Sequence, residues 1–128
     1  MRLLEEWQYK YVENSLRNYY QLKKSTAETD MKVCDAIEKA LQFFVDTQHE
    51  MIMYEYYFNH EKYEKRYTPL GHHIKVFEDI AGRTSANGYV VRREIVYKVT
   101  MYLYENGIFK VEQDKQCNNK GVTNSSKL

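Results

Sequence analysis

The stretch IKVFEDIAGRTSANGYVVRREIVYKVTMYLYENG, which runs from Ile74 to Gly107, decides the predicted fold class of this chain. A short helical segment from Ile74 to Ala81 ends at Gly82, and a turn-like GRTS leads into a longer helical segment. Helix, tight glycine-containing turn and second helix together form the helix-turn-helix pattern. The second segment is therefore the predicted recognition helix.

The residues within the second segment support a helix. Its apolar residues recur every four positions, at Val91, Ile95, Val99 and Leu103, and this spacing places them on one helical face. Gly88 lies on the same face, at a cost of ~1 kcal/mol relative to alanine, which indicates that the preceding helix crosses closely there. Thr84 or Ser85 can cap the N-terminus, and Gly107 suits the left-handed position after the C-terminus.

A β-hairpin is the alternative for the second half of this stretch. Residues 95–103 also alternate with period two, and Asn106-Gly107 is a strong hairpin signal. The helix is favoured because a strand over residues 90–104 would far exceed the usual ~5–6 residues. We therefore predict a helix that ends at Gly107, followed by a short wing-like strand at Ile108–Glu112.

The N-terminal half predicts two long helices, over residues 3–24 and 30–57, that pair antiparallel. The second is long for a globular protein, which allows a kink near Asp46–His49. The predicted organisation is thus all-α: a helical hairpin (1–58) as the dimer or partner surface, a helix-turn-helix DNA-binding region (59–112) and a disordered tail (113–128), together forming one compact domain.

The charge is distributed unevenly along the 128 residues. Residues 1–58 carry a net charge of −3 and residues 59–128 carry +4, so the basic half holds the helix-turn-helix pattern. This bias is mild and does not by itself indicate nucleic acid. No apolar run is long enough to span a bilayer and no signal peptide is evident, so we expect no membrane association.

Signatures of enzymes and bound cofactors are absent from the sequence. There is no glycine-rich phosphate loop, nucleophile elbow or HExxH motif, and Glu78-Asp79 is interpreted as a solvated helix face rather than a catalytic pair. His60 and His72-His73 lack the spacing of metal ligands. We therefore predict a protein that is not an enzyme and that binds no metal and no cofactor.

Several segments together resemble a known family of regulators. The segments that carry the resemblance are MYEYYF (53–58), a charged connector, IKVFEDIA (74–81), RTS (83–85) and VVRREIV (90–96). They resemble the RinA/ArpU-type phage late-gene transcriptional activators and the related LtrC-type regulators. The resemblance covers roughly residues 50–107. It implies a small α-helical protein with a helix-turn-helix like that of sigma-factor region 4, acting on a phage late-operon promoter in the cytoplasm of a bacterial host cell.

Eight residues form the predicted DNA-binding site. Carried over from the resemblance, the RTS residues match the turn and the cap, and the paired arginines match the basic recognition segment. The outward face of the second helix adds an amide and two tyrosines. Phosphate contacts would supply affinity and base-edge contacts specificity. The predicted residues are Arg83, Thr84, Ser85, Asn87, Tyr89, Arg92, Arg93 and Tyr97.

Two classes of function remain. The first is a sequence-specific DNA-binding transcriptional regulator, with double-stranded promoter or operator DNA as its partner and with host RNA polymerase and a second copy of the chain as further candidates. The second is a helical interaction protein that does not bind DNA and that modulates a transcription regulator. A continuous basic face around Arg83, Arg92 and Arg93 would favour the first class, and an apolar groove would favour the second.

Overall fold

The computed structural model describes residues 4–110, and every regular element among them is a helix. Two of the α-helices continue without interruption into π-helical segments, in which the hydrogen bonds span five residues. In chain order the elements are α1 (Glu6–Arg17), α2 (Tyr19–Lys24), α3 (Glu28–Phe43), α4 (Gln48–Ile52) with π1 (Met53–Phe58), α5 (Glu61–Glu64), α6 (Pro69–Ile74) with π2 (Lys75–Ile80), and α7 (Ser85–Glu105). The predicted all-α class is confirmed for this part of the chain.

The first predicted long helix is divided at Asn18. The backbone of this residue leaves the helical region, and its N–H is shared between the carbonyls of Asn14 and Ser15. Helices α2 and α3 pack antiparallel. Tyr19 at the start of α2 donates a hydrogen bond to Glu38 in the second half of α3, and Ser25, directly after α2, donates one to Asp30 near the start of α3. The prediction of one continuous helix over residues 3–24 is therefore wrong, because the packing of α2 on α3 turns the chain at Asn18.

The second predicted long helix is interrupted where a kink was expected. Helix α3 ends at Phe43, and Asp46 adopts a left-handed backbone conformation with φ of 64°. The chain resumes as α4 and π1, which place the aromatic side chains of Tyr56, Tyr57 and Phe58 in the core. The interruption confirms the break near residue 46, although two helical segments rather than one kinked helix result.

Helix α7 lies at the centre of the molecule. It is 21 residues long and packs against α1, α3, α6 and π2. Its predicted apolar stripe is buried: Val91, Ile95, Val96, Val99 and Leu103. These side chains join one hydrophobic cluster with buried residues of α1, α3, π1 and π2, so the predicted N-terminal and C-terminal regions share a core.

The crossing of π2 over α7 is close at Gly88. A Cβ atom added there would lie 2.6 Å from Cγ of Phe77 and 3.0 Å from Nε2 of His73. Real Cβ atoms do not approach neighbours at 2.6 Å, so only glycine fits without a shift of π2. The prediction that the preceding helix crosses closely at Gly88 is confirmed.

The end of α7 excludes the hairpin alternative. The helix continues through residues 95–105, and Gly107 follows it with φ of 86°. Phe109 is buried against Trp7, Tyr11 and Tyr104. No strand occurs at 108–110, so the described part of the predicted wing is wrong. Residues 111–112 and the predicted tail at 113–128 lie outside the described residues.

None of the helices between residues 4 and 110 combines the length and the apolar character that a membrane-crossing helix needs.

Candidate nucleic-acid interface

The turn before α7 is built by local chemistry that the sequence predicted. Gly82 adopts φ of 70°, which ends the preceding segment after Ala81. Thr84 is the N-cap of α7, and its hydroxyl accepts a hydrogen bond of 3.1 Å from the backbone N–H of Asn87. This bond satisfies one of the N–H groups that the first turn leaves unpaired. The turn therefore holds the start of α7 in a defined orientation.

Ser85 is engaged with the preceding helix rather than with solvent alone. The carboxylate of Glu78 accepts a bond of 3.1 Å from the backbone N–H of Ser85 and a second bond from its hydroxyl. A carboxylate at this position is favourable because the N-terminus of a helix carries partial positive charge. Glu78 thus occupies the place at the helix N-terminus where a phosphate would otherwise be attracted.

Arg83 connects the turn to α4 and to α7. Its guanidinium donates to the side-chain carbonyls of Gln48 and Asn87, and Gln48 in turn donates to the backbone carbonyl of Ala81 at 2.8 Å. The residue is half-buried. Arg83 therefore stabilises the turn through both neighbours, and a contact with DNA would have to share these donors.

Arg92 is turned into the protein rather than toward a phosphate. Its Nη2 lies 2.9 Å from Oε2 of Glu13 on α1, and the side chains of this pair are only 14% and 11% exposed. Its guanidinium also lies 4.7 Å from the ring centre of Tyr56. The sequence predicts Arg92 as a DNA-binding residue, whereas the structure pairs it with an acidic neighbour.

Glu13 is the acceptor that holds this buried group together. The buried hydroxyl of Tyr57 donates to the same carboxylate oxygen at 2.7 Å. Burial raises the pKa of Tyr57 well above its ordinary value, and the negative charge of Glu13 raises it further. Burial lowers the pKa of Arg92, but Tyr57, Tyr56 and Glu13 more than reverse this effect, so the guanidinium stays charged.

His73 connects Arg92 to the start of α7. The ring is 1% exposed, with Nε2 2.9 Å from the backbone carbonyl of Ser85 and Nδ1 3.2 Å from Nη1 of Arg92. A carbonyl only accepts and a guanidinium only donates. Nε2 must therefore carry the proton while Nδ1 accepts, which makes the ring neutral. Burial lowers the pKa of His73, and the charge of Arg92 lowers it further.

The outward face of α7 carries the other predicted residues. Asn87, Tyr89 and Arg93 are exposed, and Tyr97 is half-buried. Tyr89 stacks on His73 with ring centres 4.0 Å apart. Arg93 lies near Tyr9 of α1. Burial raises the pKa of Tyr9 to about 12, and the positive charge of Arg93 offsets a small part of this rise. This side of α7 therefore presents aromatic rings and one exposed guanidinium, and the amide of Asn87, bonded to Arg83, lies at its edge.

The structure thus separates the paired arginines that the sequence placed side by side. Arg93 faces solvent, whereas Arg92 is mostly buried in an ion pair, so the prediction that both arginines bind DNA from the surface of the helix is wrong for Arg92. The reason is geometric, since consecutive helical residues point about 100° apart. Arg83, Arg92 and Arg93 do not form the continuous basic face by which the sequence would favour DNA.

Sequence analysis missed the roles of Glu13 and His73. Glu13 lies four residues after Tyr9, on the apolar face of α1, and a carboxylate at such a position requires a buried partner. His73 was considered only as a metal ligand. Within residues 4–110 no cluster of three or more histidine, cysteine or acidic side chains is arranged to hold a metal ion.

Comparisons of the chain with protein-family models, with curated proteins and with solved structures found no match.

Proposed function

We propose that this protein is a sequence-specific DNA-binding transcription regulator that reads the major groove with the exposed face of α7. The observation that supports this proposal is the placement of Asn87, Tyr89 and Arg93 on the first turns of a helix that follows a capped glycine turn. In helix-turn-helix proteins the N-terminal residues of the second helix meet the base edges. An amide and a guanidinium are the groups that read adenine and guanine there.

Arg92 is mostly buried, so in this proposal it supports the recognition helix instead of contacting DNA. A recognition helix must be held rigidly for its exposed side chains to reach base edges. The pair between Arg92 and Glu13 anchors α7 to α1, and Arg83 anchors the turn to α4. We therefore assign base reading to Arg93 and Asn87, and support of the helix to Arg92 and Arg83.

The resemblance stated above refines the proposal. A phage late-operon activator would bind promoter DNA and contact host RNA polymerase. A second copy of the chain would allow two half-sites about 10 bp apart to be read together. The dimer surface we propose is the N-terminal half, where Tyr20 of α2 remains exposed.

In vitro selection from a randomised duplex library tests the proposal directly. The wild-type protein should enrich one motif, and the Arg93→Ala variant should enrich it less. Arg66→Ala is the matched control, because Arg66 is an exposed arginine between α5 and α6. A selection that enriches no sequence with wild-type protein contradicts the DNA-binding function.

A helical interaction protein without DNA binding is the second candidate, and one surface favours it. Phe43 and Met101 are each about half exposed, and Lys98 lies over the ring of Phe43 at 3.7 Å from its centre. Exposed apolar side chains beside one another are typical of surfaces that bind other proteins. If selection enriches no DNA, this surface becomes the one to test for a protein partner.

A further inference from the structure

We propose that protonation of His73 opens the contact between α6–π2 and the first turns of α7, so that mild acid loosens the helix carrying Asn87, Tyr89 and Arg93. This contact consists of His73 and Phe77 on one side and Ser85, Gly88 and Arg92 on the other. The loosening itself is independent of nucleic acid. Its consequence for DNA binding rests on the proposed function.

The two hydrogen bonds of His73 leave no place for a second proton. Nε2 donates to the carbonyl of Ser85, and Nδ1 accepts from Arg92. A proton on Nδ1 would direct an N–H at a guanidinium N–H and would place two positive charges about 3 Å apart. A buried ring cannot rotate to avoid this, because a rotation would give up the bond to Ser85.

Packing leaves His73 little room to move while it remains buried. Tyr89 stacks on one face of the ring at 4.0 Å, and Phe77 lies 4.6 Å away on the same segment. The position of a Cβ atom on Gly88 would be 3.0 Å from Nε2. Protein interiors respond to such conflicts by local opening rather than by gradual deformation.

Arg92 cannot withdraw from the ring at low cost. Its Nη2 is held by Glu13 on α1, and its charge is centred 4.7 Å from the ring of Tyr56 in π1. Removing the guanidinium from Glu13 would leave a buried carboxylate that keeps the hydrogen bond from Tyr57 and an ion pair of 4.0 Å with Arg17. The repulsion after protonation therefore acts on the less strongly anchored side, which is the bond between His73 and Ser85.

The remaining groups around His73 do not supply a compensating charge. Glu78 in π2 favours the protonated ring, but its carboxylate already accepts two bonds from Ser85 and is exposed. Tyr56 approaches the edge of the ring with centres 6.0 Å apart. His72, the neighbour within α6, is stacked between Tyr56 and Tyr63 and supplies no negative charge.

Hydrogen exchange followed by NMR tests this proposal on the full chain. Protection of the amides from Gly88 to Arg92 should decrease as pH falls from 7.5 to 5.5, after correction for intrinsic exchange. The decrease should reach up to about tenfold per pH unit. It should begin below the ordinary histidine pKa of ~6.5, ahead of protonation of the His73 ring in the folded protein, which is recorded in the same samples, while amides in the centre of α3 keep their protection.

Two variants separate His73 from other groups that titrate. His73→Gln keeps one donor and one acceptor but does not titrate, so protection of the α7 amides should no longer depend on pH. His72→Gln is the matched control, because it removes the adjacent half-buried histidine, whose pKa is also lowered by burial, and leaves the two hydrogen bonds of His73 in place. This control should lose protection as the wild type does.

The outcomes distinguish this proposal from the proposed function. Wild-type amides that keep their protection while His73 titrates would overturn the opening, even if His73→Gln fails to fold. A pH dependence that persists in His73→Gln would also overturn it. If the amides respond as expected but no duplex is bound at any pH, the opening stands and the DNA-binding function is contradicted.

Discussion

Arg92 and Glu13 form an ion pair of 2.9 Å although they are 79 positions apart in the chain. The pair joins the central helix α7 to α1, and the hydroxyl of Tyr57 adds π1 to the same carboxylate. One buried charged group therefore connects three elements of the fold. Because Arg92 precedes Arg93 in α7, this group holds the turn of the helix that carries the exposed Arg93.

Removal of either partner of this pair should destabilise the protein strongly. We expect Arg92→Ala or Glu13→Ala to lower the free energy of unfolding by about 3 kcal/mol, because each removes one half of a mostly buried ion pair; after Arg92→Ala, Glu13 keeps only the more distant Arg17, at 4.0 Å, as a charged partner. Urea denaturation of both variants measures this. Arg93→Ala, the exposed neighbour, should change stability by less than about 0.5 kcal/mol. Equal effects of Arg92→Ala and Arg93→Ala would contradict the anchoring role.

Gly88→Ala should also destabilise, despite the better helix propensity of alanine. The gain of ~1 kcal/mol in the helix is offset by overlap with the buried ring of Phe77, and overpacking of this kind costs ~1–3 kcal/mol or more. Thermal denaturation of Gly88→Ala, Phe77→Ala and the double variant measures the coupling. The double variant should be more stable than the sum of the two single effects predicts. A Gly88→Ala protein as stable as wild type would exclude the close crossing.

Glycine at position 46 should give a free energy of unfolding ~1–2 kcal/mol higher than a β-branched residue there. The left-handed backbone of Asp46 is costly for a residue with a Cβ atom. Asp46→Gly should therefore unfold at a higher urea concentration than Asp46→Val. The same two substitutions at Asp35, which is exposed in the middle of α3, should rank in the opposite order. A common order at both positions would show that φ at residue 46 does not determine the preference.

Glu55 should make stability depend on pH in the acid range. The hydroxyl of Tyr63 donates to its carboxylate at 2.8 Å, and this bond, together with Lys62, lowers the pKa of Glu55. Its folded pKa is thus below the unfolded value of ~4.3. The contribution is fully present above that value and is lost as pH falls through the folded pKa.

The Tyr63→Phe variant isolates this contribution. It should be less stable than wild type by about 1 kcal/mol at pH 7, and the difference should shrink below pH ~4 as Glu55 becomes protonated. Urea denaturation across this range measures the difference. Tyr20→Phe is the matched control, because Tyr20 bonds to the uncharged Asn59. A difference for Tyr63→Phe that is constant with pH would contradict the assignment.

The features that sequence analysis predicted correctly depend on neighbouring residues. Gly107 adopts the left-handed backbone expected of it, the segment before the turn ends at Gly82, and Thr84 caps α7. Each of these outcomes is decided within about four residues along the chain. The helical spacing in α7 is also a property of the segment itself, and a segment of 21 residues is too long for an ordinary strand.

The features that were not predicted depend on distant packing. No glycine or proline lies near Asn18 in the sequence. The division of the first helix therefore follows from how α2 packs on α3. The π-helical segments at 53–58 and 75–80 have no local signature of their own. The direction of Arg92 is determined by Glu13, and that pairing becomes visible only when α1 and α7 are side by side.

Arg93 provides the final and most direct test of function. It is exposed on the first half of α7, on the same face as Tyr89, and no ion pair with a carboxylate holds it among residues 4–110. If this face reads DNA, Arg93→Ala should weaken binding to a selected duplex by ~1–3 kcal/mol and relax specificity at one base pair. Binding to a scrambled duplex should change little.

A titration of both duplexes at several salt concentrations measures these effects. Arg66→Ala is the control for loss of one exposed positive charge, and it should leave the preference for the selected duplex unchanged. The melting temperature of Arg93→Ala should remain that of the wild type within a few degrees, because the side chain is outside the core. A variant that binds the selected duplex as tightly as wild type would show that this face of α7 does not read DNA, and the recognition-helix assignment would have to be abandoned.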